Sequence, residues 1–78
     1  MTAPTTAERT TRTFWAAGRH GTPVGIEVDT YLDGIIRVGA EADQITDAQL
    51  LKALVAEYPG RSWRIWEDFG YRCAESRA

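Results

Sequence analysis

Few side chains in this sequence are equipped for covalent or acid–base chemistry. There is one His, one Cys and no recognisable nucleophile elbow around Ser62 or Ser76. His20 stands in Gly18-Arg19-His20-Gly21-Thr22-Pro23, a run with the composition of a turn. A general base needs a positioned partner, and none is suggested there, so an exposed turn histidine is the simpler reading. Cys73 lacks a neighbouring base or helix start that would favour its thiolate, and reads as a small buried or half-buried residue. Glu27 and Asp29 have the spacing of one strand face, with Asp33 in a following turn. That triplet does not match a calcium loop and reads as a solvated face. A lone Cys and a lone His exclude an internal disulfide and a zinc site built from Cys and His alone. No glycine-rich phosphate cradle occurs. The expectation is a chain without catalytic residues, metal or cofactor.

These residues need elements to hold them. Seventy-eight residues allow one core. A chain this short buries only about 60% of its unfolded surface, so its stability is modest. With 44% apolar and 26% charged residues, it is too apolar to stay unfolded. Residues 1–10 are rich in Thr and Ala without periodicity and read as a flexible tail. Residues 11–73 read as a single α+β domain and 74–78 as a polar end.

Thr11–Gly18 opens as a strand, with β-branched and aromatic residues at its start. Val24, Ile26, Val28 and Thr30 alternate with Gly25, Glu27, Asp29 and Tyr31. After Asp33-Gly34, Ile36, Val38, Ala40 and Ala42 alternate with Ile35, Arg37, Gly39 and Glu41. A two-residue turn would put the two apolar rows on opposite faces. A three-residue loop, Leu32-Asp33-Gly34, pairs Val28 with Val38 and Thr30 with Ile36, so both rows share a face, with Gly34 at the left-handed bulge position. The same register sets Asp29 opposite Arg37 on the wet side.

Asp43–Tyr58 carries a helix. Thr46 and Gln49 form a capping box, Ile45 staples onto Leu50, and Asp47 suits the positive end of the dipole. Leu50, Leu51, Leu54, Val55 and Tyr58 make the apolar stripe, and Pro59-Gly60 ends the element. Of these, Leu50, Leu54 and Val55 are expected in the core, with Lys52, Ala56 and Glu57 in water. In Arg61–Cys73 the reading is a strand over Ser62–Glu67 followed by an aromatic segment that is extended or packed back. The expected architecture is an antiparallel sheet of three to four strands, in the order β-β-β-α-β, packed on one helix.

Charge and aromatic content speak to partners. Net charge is +2 over residues 1–22, −5 over 23–57 and +1 over 58–78. A pI near 5.2 lacks the basic excess of nucleic-acid binders. The runner-up reading is nonetheless a nucleic-acid-binding module using Arg12, Arg19, His20 and Arg64 with Trp15 and Trp66. The leading reading uses the aromatics differently. One helix covers one sheet face, and strand parity sends at least one Trp to the other. An outer face bearing Trp66, Trp15, Tyr31, Ile35, Arg37 and Arg64 has the composition of a protein interface. The expectation is a small non-enzymatic protein-binding module, such as a regulator, inhibitor or accessory subunit, acting through this aromatic and Arg surface or through the acidic face of the middle segment. Its partner is another protein or a second copy, and a phage-like or mobile-element gene set would suit it. No apolar run approaches the roughly 18 residues of a membrane span, and the N-terminal residues lack a signal-peptide core. With the lone Cys, that favours a cytoplasmic location.

Overall fold

The computed structural model of the chain describes residues 9–77. Five strands and one helix follow in the order β1 (Arg9–Ala17), β2 (Pro23–Tyr31), β3 (Ile36–Glu41), α1 (Asp47–Glu57), β4 (Arg64–Asp68) and β5 (Tyr71–Ser76). All neighbouring strands are antiparallel, in the spatial order β1-β2-β3-β5-β4. The α+β class and the single helix match expectation, but the strand count is five rather than three to four. Arg9 and Thr10 belong to β1 and not to a tail, while residues 1–8 of that segment lie outside the described residues.

The hairpin joining β2 and β3 takes the three-residue loop. Val28 pairs with Val38 and Thr30 with Ile36, and Gly34 holds φ +89°. The Tyr31 amide donates to the Ile35 carbonyl (2.9 Å) and the Gly34 amide to the Tyr31 carbonyl (3.0 Å), closing the turn and its bulge. Asp29 does lie opposite Arg37, but their side chains turn elsewhere. Arg37 pairs with Glu75 on β5 (2.8 Å), and Asp29 faces Arg9 (3.6 Å) and accepts from Thr11 (2.7 Å). A strand on each outer side offered each group a better-placed partner.

The additional strand comes from residues 71–76, where Ala74 and Ser76 are buried rather than part of a polar end. Asp68 pairs with Tyr71 across a two-residue turn, Phe69-Gly70, with φ +48° and +80°. Positive φ at both central residues is the geometry whose twist suits a tight hairpin. The turn exchanges parity. Trp66 lies opposite Cys73 and Ile65 opposite Ala74, so Tyr71 and Cys73 share the face of Trp66, not that of Trp63 and Ile65.

Val24, Ile26, Val28, Ile36, Val38, Ala40 and Ala74 form the sheet side of the core, against Ile45, Leu50 and Leu54. Phe14, Ala53, Tyr58, Trp63 and Ile65 pack around it. The capping box forms in full. Val55 is 48% exposed, contrary to expectation, and Leu51 is exposed as well. At about 100° per residue, positions 50, 53, 54 and 57 cluster on the side facing the sheet, whereas 51 and 55 fall outside that arc. Lys52, Ala56 and Glu57 are exposed as expected.

Candidate functional site

Register assigns the outer face. It carries Arg9, Thr11, Thr13 and Trp15 from β1, Gly25, Glu27, Asp29 and Tyr31 from β2, Arg37, Gly39 and Glu41 from β3, Tyr71, Cys73 and Glu75 from β5, and Arg64, Trp66 and Asp68 from β4. Among the described residues, no helix or loop packs on it as a second layer.

Five of the six residues singled out from the sequence share this face: Trp66, Trp15, Tyr31, Arg37 and Arg64. They do not form one patch. Trp15 and Trp66 belong to opposite edge strands, about 19 Å apart at 4.8 Å per strand step. Trp15 is 68% exposed, whereas Trp66 is half-buried beneath the Arg64 guanidinium, 4.6 Å from its ring centre. Arg37 lies over Tyr31 at 5.6 Å while donating to Glu75. Ile35 is half-buried in the turn rather than in a strand, and its amide donates to Asp33 (3.1 Å).

Between the two Trp residues the face dips. Gly25 and Gly39 leave a depression of about 380 Å³, bordered by Thr13, Glu27, Glu41 and Tyr71. Trp15 leans over its edge: a Cβ at Gly25 would lie 3.4 Å from the Trp15 ring. A Cβ at Gly39 would meet nothing within 4 Å. Glu27 lies opposite Gly39, and continuing that register brings Glu41 opposite Gly25, so the carboxylates are diagonal neighbours on adjacent strands. Neither pairs with a cation among the described residues, nor does Asp68 at the far edge, although the outer-face acids Asp29 and Glu75 do. Two carboxylates beside a Trp and a Tyr suit an ammonium or guanidinium group, through charge and through the negative faces of the rings.

Sequence reasoning missed Gly39, Glu41 and Tyr71. The signal for the first two was present. The outward positions read Gly25-Glu27 on one strand and Gly39-Glu41 on the next, and the three-residue loop sets them crosswise. Tyr71 was hidden by the parity exchange at Phe69-Gly70. Phe69 was also missed. It is 95% exposed at the hairpin tip, in a left-handed conformation that bulky residues avoid.

The groups considered for catalysis are dispersed. His20 Nε2 donates to the carbonyl of Asp43 (3.0 Å), tying two loops together. Burial, with Asp68 nearby, pushes the Cys73 thiol up, toward the unreactive protonated form. Among the described residues, no three His, Cys, Asp or Glu side chains gather as a metal site, and no helix is long and apolar enough to cross a membrane. The chain matches no family model, no curated protein and no solved structure.

Proposed function

We propose that this chain is a non-enzymatic protein-binding module. Its outer sheet face receives a partner that presents a basic side chain to the depression between Trp15 and Tyr71. The observation that carries this reading is the open dip over Gly39, flanked by Tyr71 on one side and by Gly25 beneath the Trp15 ring on the other, with two carboxylates on its rim that have no cation partner among the described residues. Trp and Tyr supply large contact area at little entropic cost and dominate many interfaces. Glu27 and Glu41 would set orientation and encounter rate more than affinity. A nucleic-acid partner is less well supported. On this face Arg9, Arg37 and Arg77 engage Asp29 or Glu75, so that Arg64, stacked on Trp66, is left as the outer-face guanidinium without an acid partner among the described residues, a small positive charge for phosphates. Roles as regulator, inhibitor or accessory subunit all fit such a module.

Gly39→Val provides the test. Its side chain would enter open space, and a β-branched residue suits a strand interior better than glycine, so the fold should be at least as stable. It would fill the dip. Affinity capture from nuclease-treated lysate, run beside wild type and Glu27→Gln/Glu41→Gln, should recover a protein with wild type that both variants lose. Equal recovery by all three would refute the site. Recovery abolished by nuclease alone would favour the nucleic-acid reading.

A further inference from the structure

We propose that β1 is a pairing edge for a second copy of this chain, joined antiparallel about a two-fold axis at Thr13. It uses the backbone edge of Thr13 and Trp15, whose side chains border the outer-face depression, and it does not depend on that site.

Pro23 establishes which backbone groups of β1 point away from β2. It lies opposite Ala17 and has no amide hydrogen, so Ala17–Pro23 is a pair without mutual hydrogen bonds. The next rung fits: the Gly18 amide donates to the Thr22 carbonyl (3.3 Å). Bonded pairs alternate, so Thr10, Arg12, Phe14 and Ala16 bond to β2. The amides and carbonyls of Thr11, Thr13, Trp15 and Ala17 then point to the open edge. The far side of β2 agrees, because the Tyr31 amide is directed to the opposite neighbour, at the Ile35 carbonyl.

This edge carries two charges, Arg9 and Arg12, but otherwise lacks the features that normally discourage strand addition. It runs nine residues with an unbroken register, without proline or bulge. The other edge, β4, has five residues, among them Arg64, Glu67 and Asp68. Beside β1, small Ala53 and Ala56 on α1 leave a groove of about 390 Å³ against Phe14 and Ala16. An added strand's inner side chains would enter that groove.

The sequence of β1 favours its own copy as the occupant. Outward groups lie on odd positions, so odd must pair with odd. Centring on Thr13 gives full overlap: Arg9 meets Ala17, Thr11 meets Trp15 and Arg12 meets Phe14 of the other copy. No like charges face each other. Arg12 already lies 5.6 Å from Phe14 within the chain, so this pairing repeats an existing contact type. Centring on Arg12 instead would set two guanidiniums opposite each other. A nine-residue strand is about 30 Å long, and a sheet edge about 10 Å thick buries roughly 300 Å² per copy. That is below the roughly 800 Å² per partner of a typical stable interface, so the dimer should be weak and concentration-dependent.

Two measurements test this. In sedimentation from low micromolar to millimolar concentration, wild type should shift from monomer toward dimer, and Thr13→Pro should stay monomeric. That proline removes only an outward amide, so the β1–β2 ladder should survive. In wild type, amide exchange at Thr11, Thr13 and Trp15 should slow with concentration, while Arg12 and Phe14 stay protected throughout; this readout stands even if the proline variant fails to fold. A monomer at millimolar concentration, or exchange at those three amides unaffected by concentration, would overturn the proposal. An edge reserved for another protein's strand would give both results. Undiminished dimerisation of a folded Thr13→Pro would also overturn it. Gly39→Val should dimerise like wild type, so failure of the outer-face reading and failure of this one are separable.

Discussion

Arg72 on β5 donates from Nε to the carbonyl oxygen of Ile45, 2.8 Å away, at the approach to α1. The same guanidinium reaches the Ala42 carbonyl (3.1 Å) and the Asp47 carboxylate, with Glu67 3.7 Å away. One side chain therefore joins the last strand to the loop that launches the helix. Arg72→Leu should destabilise by about 3 kcal/mol, because half-buried carbonyls would lose their donor. Arg72→Lys should restore little of this, since a point ammonium cannot reproduce the planar fork. Chemical denaturation of both variants checks it. Full rescue by Lys would mean that charge alone matters here.

The helix face gives a paired prediction. Leu54 is fully buried, whereas Val55 is about half exposed. Leu54→Ala should cost about 2–5 kcal/mol, a large part of the stability of so small a domain. Val55→Ala should change stability by less than about 0.5 kcal/mol, because better helix propensity offsets the lost contact. Thermal melts of the two variants decide it. Similar losses would mean that Val55 packs against more than the sheet.

Glu75 supplies a pH dependence. The hydrogen bond from Arg37, with Arg77 nearby, holds its carboxyl below the usual glutamate range. The folded state thus favours the ionised form. Its contribution is complete above the unfolded value of about 4.3 and is lost as pH falls through the lower folded value. Arg37→Met should therefore melt below wild type at neutral pH, and the gap should close on acidification. A gap that persists unchanged into strong acid would assign the effect to Arg37 stacking on Tyr31 instead.

The sequence made the central hairpin and the helix start legible because each carried a local constraint. Shifting Val28 against Val38 by one residue would invert a strand, and Thr46 with Gln49 forms a cap whose both halves are visible in the sequence. Val55 misled because an apolar stripe wider than the contact cannot reveal which margin meets the sheet. The last hairpin was hidden by Phe69, which occupies a turn position where Asn or Asp is the usual sign. Without that sign the residues after Glu67 read as an aromatic segment with no turn in it, and the hairpin that brings Tyr71 to the outer face stayed out of view. The depression at Gly25 and Gly39 belongs to two strands at once, so it emerges only when the register is combined with outward positions that otherwise look like ordinary solvated alternation.

Phe69 itself gives the final prediction. It holds φ +48° beside Gly70 at +80°, yet its ring is almost wholly in water. A bulky side chain in this region carries strain of about 1–3 kcal/mol, and Asn tolerates the region better. Asn-Gly is also the preferred pair for such a turn. The exposed ring has little burial to lose within the chain. Phe69→Asn should therefore stabilise the fold by roughly 0.5–1 kcal/mol, read as a higher denaturation midpoint with unchanged slope. A lower midpoint would mean that the ring makes contacts in solution that outweigh its strained backbone.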